Sequence, residues 1–190
     1  EEGARLLASS AKLGKAAAAY NLGLLYLEGQ TFPQDVKRAA ELFRQAADAG
    51  NPEAQYALAT LYKEGRGVEK NLVEAARLMR LAAMVDNLDA EVEYAIALYN
   101  GTGTPKDVPT AIAVLNRAAR QNSPIAQNRL ARILVDGLGV PVDKVQGFKW
   151  HLIAKTAGNG DPDLDAQFAQ LPPIEKAKSE DLAKKWFGTK

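Results

Sequence analysis

The side chains able to do chemistry are few, and most stand alone. His151 is the only histidine in the 190-residue chain. An imidazole can act as a general base, but it needs a nucleophile to activate and a carboxylate to orient it. Neither lies at a telling spacing, so His151 is expected to be a partly packed helix residue. Glu28, Glu64 and Asp136 form a carboxylate column spaced by multiples of 36 residues. Paired carboxylates can do acid–base work on sugars, which raises an enzyme acting on cell-wall glycans as one reading. Stacked helices about 10 Å apart would hold neighbouring members of that column too far apart for a retaining pair. Asp161, Asp163 and Asp165, like Asp86 and Asp89, read as caps and solvated charge rather than a calcium loop. With no cysteine and no His-Glu-x-x-His run, no zinc site is expected. The Gly-x-Gly runs at 65–67, 101–103 and 137–139 lack the third glycine and the preceding strand of a dinucleotide loop. They read as turns that end helices. No catalytic residue, cofactor or metal is therefore expected.

The elements that would position any site are set by a repeat. Gly29, Gly65, Gly101 and Gly137 are each 36 residues apart. The same register links Ala18, Ala54, Ala90 and Ala126, and also Ala46, Ala82, Ala118 and Ala154. Asp35, Asn71, Asp107 and Asp143 form a fourth column. Such a period marks a repeat architecture in which one unit cannot bury its apolar faces alone.

Residues 51–86 show what one unit is. Asn51 caps a first helix, and Pro52 suits its first turn, where an N–H is unpaired anyway. Ala54, Leu58, Leu61 and Tyr62 recur at helical spacing. Gly65 ends the helix in the left-handed conformation glycine accepts. Asn71 caps a second helix, whose buried face is Leu72, Ala75, Ala76, Met79, Ala82 and Ala83. Gly23, Ala59, Ala95 and Ala131 keep one column small so that paired helices can cross closely.

The expected organisation is a half-repeat at 1–14, repeats at 15–50, 51–86, 87–122 and 123–158, and a C-terminal helical cap at 159–190. The fold class is all-α, a right-handed α-α superhelix of helix-turn-helix units. In the cap, residues 174–187 predict an amphipathic helix with Ile174, Ala177, Leu182 and Trp186 on one side. Trp150 and Trp186 read as core residues packed together under it, with partner contact as the alternative.

The bulk numbers agree with a globular helical protein. The chain is 47% hydrophobic, 25% charged and only 7% aromatic, with many alanines. Its 24 basic and 23 acidic residues give no reason to expect a nucleic-acid partner. No apolar run of about 20 residues exists, so no membrane insertion is expected. The chain opens on Glu1 rather than Met and reads as a fragment, which leaves a removed leader or a neighbouring domain open.

These columns resemble the Sel-1-like repeat family, a relative of the tetratricopeptide repeats. The resemblance rests on Ala18, Tyr20, Leu22, Gly23, Tyr26 and Gly29, and on Ala54, Leu58, Tyr62, Gly65, Gly67 and Val68. It covers residues 3–158 and recurs four times in phase. The last repeat departs from the pattern, with Lys155 where alanine is usual and Leu138 between its glycines. The resemblance implies a bacterial adaptor that binds proteins or peptides, in signalling or envelope regulation. An exported or periplasmic location is the expectation, with the cytoplasm as the alternative.

In such an array the first helices line the concave surface. Positions flanking the buried Leu22, Gly23 and Tyr26 column should face it. In the first repeat these are Tyr20, Leu24, Leu27 and Glu28. Tyr56, Thr60, Lys63 and Glu64 come next in the second, and Val92, Ile96, Tyr99 and Asn100 in the third. Asn128, Arg132, Val135 and Asp136 close the series. The expected contacts of a protein or peptide partner are Tyr20, Tyr56, Thr60, Lys63, Ile96, Tyr99, Asn100, Asn128 and Arg132. Tyrosine and arginine are frequent interface anchors. A spacer that only holds other domains is the competing reading.

Overall fold

The computed structural model describes residues 2–188. Glu1 of the expected half-repeat and Thr189 and Lys190 of the expected cap lie outside the described residues. Among the described residues there are eleven helices and no strand. The chain forms two compact units, residues 1–106 and 107–190.

The first unit holds α1 (Glu2–Lys12), α2 (Ala16–Glu28), α3 (Val36–Asp48), α4 (Pro52–Glu64), α5 (Leu72–Ala83) and α6 (Leu88–Asn100). Each helix packs on the next in chain order from α1 to α6. Its core is built from small residues and a few large ones: Ala19, Ala39, Ala46, Ala54 and Ala59 are closed to solvent around Phe43 and Leu58. Gly23 packs against the Phe43 ring so tightly that an added Cβ would lie 2.6 Å from it.

The second unit holds α7 (Val108–Arg120), α8 (Pro124–Asp136), α9 (Lys144–Thr156), α10 (Pro162–Ala169) and α11 (Pro173–Gly188). Here α8 packs on α7 and α9, and both α10 and α11 pack on α9. The glycine of the crossing has changed helix. Ala131 on α8 now faces Gly147 on α9, whose Cβ would meet the Ala131 carbonyl at 3.0 Å.

The turn inside the first, second and fourth repeats is set by linked bonds, seen in full at residues 61–74. Gly65 takes φ +74° and its N–H donates to the Leu61 carbonyl at 2.8 Å, closing α4. The loop then returns, and the Asn71 N–H donates to the Tyr62 carbonyl at 3.0 Å. The Asn71 side chain accepts from the Glu74 N–H at 3.0 Å and opens α5. Asp35 and Asp143 repeat both bonds in their own repeats. The second glycine of the turn has a steric cause. A Cβ on Gly103 would lie 1.9 Å from the Leu72 carbonyl oxygen, so only glycine fits.

The turn between repeats obeys a different rule. Gly14, Gly50 and Gly158 hold positive φ, yet a Cβ there would meet nothing within 4 Å. The same column contains Asp86 at φ +62° and Asn122 at φ +69°. These are the side chains that best tolerate a left-handed backbone. Where only conformation is demanded the column admits them; where space is demanded it stays glycine.

The last helix is rotated from its expected register. Ser179 and Ala183 are buried, with Leu182 and Trp186 half-buried, while Ile174 and Ala177 are exposed. The small Ser179 lets α11 approach α9 closely, and its hydroxyl donates to the Glu175 carbonyl at 2.9 Å, so the burial strands no donor. Trp186 meets Trp150 edge-on at 5.2 Å between ring centroids. The Lys149 ammonium sits 4.1 Å from the Trp150 ring centre. Burial, and then the nearby Arg120 cation, hold the Lys149 pKa below the usual lysine range.

Candidate functional site

In the first unit, the exposed faces of α2, α4 and α6 bring together most of the expected partner contacts. Tyr20, Tyr56 and Thr60 line a cavity of about 380 Å³ with Leu27, Glu53 and Asp89. Both tyrosines are half-buried. The Tyr20 ring lies 5.7 Å from Phe43, so it stands on the core as a platform. Burial raises the Tyr20 hydroxyl above the ordinary phenol range, and the Glu53 carboxylate raises it further. Burial likewise raises Tyr56, followed by Asp89 and Glu93. The rings thus lie in a negative field.

Lys63, Ile96 and Asn100 line a second cavity of about 330 Å³, floored by Leu72, Ala75, Ala76 and Met79 of α5. Its rim carries an ion pair, Lys63 Nζ to Glu93 Oε2 at 2.6 Å. Tyr99 belongs to neither cavity, and the Lys106 ammonium sits 5.9 Å from its ring centre. Val92, expected on the open face, is buried at 3% exposure. An apolar β-branched side chain at that position packs inward where tyrosine in the same column stays at the rim.

In the second unit the same helix face is occupied from within the chain. Asn128 donates to the Asn159 carbonyl at 3.4 Å. Arg132 forms ion pairs with Asp161 and Asp163. Asp161 is buried and caps α10, accepting from the N–H groups of Asp163 and Leu164. Burial alone would raise its carboxyl pKa. The Arg132 guanidinium and the two backbone donors outweigh that and hold it below the ordinary carboxylate range. The bond to Asp161 in turn raises Arg132. Val135, expected on this face, is buried.

The constellation that sequence reasoning missed centres on His151. The imidazole is fully buried, and its Nε2 lies 2.8 Å from Asp165 Oδ1. Lys155 Nζ donates to the same oxygen at 2.7 Å. The Lys155 and then the His151 bond lower the Asp165 pKa. An orienting carboxylate therefore exists, fourteen residues on, where α10 folds back along α9. No local spacing announces it, because the loop between the helices sets the pairing. A histidine closed to solvent on all sides cannot reach a substrate, and its partners tie α10 to α9. Of the three aspartates read as caps and solvated charge, Asp161 is a cap, but all three are also tied to α8 or α9 side chains.

A larger cavity, about 570 Å³, lies between α3 and the turn after α4. Lys37, Arg44 and Lys70 stand there against Glu41 and Glu69, with charges in near balance. Arg44 donates to the Tyr62 hydroxyl at 2.7 Å. In the sequence, Gly65 and Gly67 of this turn read as a helix end, and no role is assigned to these charged residues. Among the described residues no group of His, Asp and Glu could hold a metal ion, and no helix is long and apolar enough to cross a membrane.

Paired helices in a fixed register, with variable side chains on the first-helix face, define a helical-repeat protein of the tetratricopeptide-like class. The chain belongs to the Sel1 repeat family, whose model matches residues 16–51, 52–87, 88–123 and 124–159. Sel1 repeat proteins are helical scaffolds for protein interaction and usually bind proteins; the family is of a non-catalytic type.

Solved relatives agree. A Sel1 repeat protein from Oxalobacter formigenes is 25% identical, with a TM-score of 0.77 over 96% of this chain and 77% of its own. A protective antigen of uropathogenic Escherichia coli strains with an SLR fold is 26% identical at TM-score 0.63, over 97% of this chain and 48% of its own. Helicobacter pylori cysteine rich protein B shares the fold at 20% identity and TM-score 0.50, over 65% of this chain and 93% of its own. A comparison with curated proteins finds no match.

Proposed function

We propose that this chain is a non-enzymatic binding module that takes a protein or peptide segment on the first-helix face of its first unit. The observation that carries this is the pair of cavities formed there, lined by Tyr20, Tyr56 and Thr60 and by Lys63, Ile96 and Asn100. Tyrosine rings held by the core offer large contact area at small entropic cost. Asn128 and Arg132 are assigned to holding residues 159–163 rather than to the partner, and Tyr99 to the rim. A role in bacterial signalling or envelope regulation fits such a module. The glycan-enzyme reading is disfavoured, since Glu64 pairs with Arg66 at 3.2 Å and Glu28 lines neither cavity.

The test is Tyr56→Ala, measured on a partner captured by the intact chain. Loss of such an anchor is expected to weaken binding by about 2 kcal/mol, roughly 30-fold, with the melting temperature unchanged. Equal binding by Tyr56→Ala and by Tyr20→Ala would move the interface off this face. Failure of the chain to retain any protein would favour the spacer.

A further inference from the structure

The two cavities of the first unit differ in chemistry and lie at a fixed separation, and this restricts what they can hold. Resting on the binding reading above, we infer that the groove between α4 and α6 recognises an extended segment carrying a cationic side chain and, three residues away, a large apolar one.

The cationic end is set by charge and ring chemistry. Glu53 and Asp89 are exposed carboxylates beside Tyr20 and Tyr56, and neither has a salt bridge among the described residues. Arg66, which also lines that cavity, is paired with Glu64. A guanidinium or ammonium entering here meets two carboxylates without a salt bridge and two tyrosine side chains, a ring type whose face attracts cations. An acidic side chain meets like charge at the same place.

The apolar end is set by the lining of the second cavity. Leu72, Ala75, Ala76, Met79 and Ile96 give it an apolar wall and floor. The alanines create the volume, and the adaptable thioether of Met79 closes it. At about 330 Å³ it has room for a leucine- or phenylalanine-sized side chain. The rim charges, Lys63 and Glu93, are already satisfied by each other.

The spacing comes from the helices. Tyr56 to Lys63 on α4 and Asp89 to Ile96 on α6 are both seven residues, and each pair runs from the first cavity to the second. At 1.5 Å rise per residue that is about 10 Å. A segment in the polyproline II conformation rises about 3.1 Å per residue and returns to the same face every third residue, so three residues span it with both side chains toward the groove.

The experiment measures fluorescence anisotropy of labelled dodecapeptides on the intact protein. The probes place Arg and Leu three residues apart, in either chain order, in a Gly-Ser background. Controls replace Arg by Glu, replace Leu by Ser, or widen the spacing to six. The expected result is that one Arg/Leu order at three residues binds at least tenfold tighter than every control. Asp89→Lys with Glu53→Lys should abolish that preference, and added salt should weaken it. Both positions are exposed, so the folded chain should survive the change; the single Asp89→Asn provides a milder second variant. If the Glu probe binds as well as the Arg probe, or if spacing is immaterial, the inference falls. If such a control peptide is lost with Tyr56→Ala, the groove reading stands while this motif fails. If none of the probes binds, the motif is wrong, and the captured-partner test decides the groove reading separately.

Discussion

Tyr56 and Asn128 occupy the same position in two repeats, as do Thr60 and Arg132, yet the two units use them oppositely. In the first unit Tyr56 and Thr60 line an open cavity. In the second, Asn128 and Arg132 grip the segment that leads into α10. Repeat register therefore fixes where a side chain stands but not what it does. The chain beyond each repeat decides its use. After α9 the register lapses, and residues 159–163 turn back over the face that an interior repeat would leave open. An open array must cover its last apolar face, and here the covering reaches the first-helix face, which carries open cavities in the first unit.

The largest break in this comparison should come from Asp161→Ala. It removes the α10 cap and the anchor of Arg132 together. A cap is worth about 1 kcal/mol, and a pair with one buried member adds more. Discounted for the exposed guanidinium, the loss should be about 3 kcal/mol in urea denaturation. A change below about 0.5 kcal/mol, the scale of an ordinary surface substitution, would make the 159–163 segment a loose appendage.

Arg132→Ala against Thr60→Ala sharpens the contrast within one column. The first leaves the buried Asp161 carboxylate without its cation and should cost about 2 kcal/mol. Thr60 only donates to the Tyr56 carbonyl one turn back, at 3.1 Å, and its loss should stay within about 0.5 kcal/mol. Equal costs would mean that the two units treat the column alike.

Acid should expose the same difference. The Asp161 pKa is depressed in the folded chain, so its stabilisation is complete above the ordinary carboxylate range and is lost as pH falls through and below about 4. Asp161→Asn should start about 1 kcal/mol less stable at neutral pH and lose less on acidification. Asp165, also depressed, keeps some acid dependence in that variant. Parallel curves for the two proteins would assign the acid sensitivity elsewhere.

Much of this was legible in the residues. The 36-residue register, the caps at Asp35, Asn71, Asp107 and Asp143, and the left-handed glycines all arise from local chemistry that acts within a turn or two. The open-face positions of the first unit come from that register, except Val92, where apolar character won over position. The long-range, non-repeating contacts could not be read. The His151–Asp165 and Arg132–Asp161 pairs depend on how one loop turns, and no second copy of that loop exists to reveal its register. The rotation of α11 has the same cause. Ile174 is the more apolar residue, but Ser179 is the smaller, and closeness of approach to α9 decided the face.

The smallest expected effect tests the part of the comparison that should not differ. Asp86 lies in the first unit and Asn122 in the second, both exposed and both at positive φ. Their column is otherwise Gly14, Gly50 and Gly158, each with open space where a Cβ would be. Replacing either residue by glycine therefore removes backbone strain and loses no packing. Glycine also widens the unfolded ensemble, which offsets part of the gain. Left-handed strain for a non-glycine residue is about 1–2 kcal/mol, less for Asp and Asn, whose short polar side chains bond locally. The balance should leave Asp86→Gly and Asn122→Gly each about 0.5 kcal/mol more stable, read as a shift of the urea midpoint at constant slope. Like gains in both units would show that the turn column is one scaffold throughout, and that the two units part company only on the first-helix face. A gain at Asp86 with a loss at Asn122 would mean that the second unit has put its turn to another use as well.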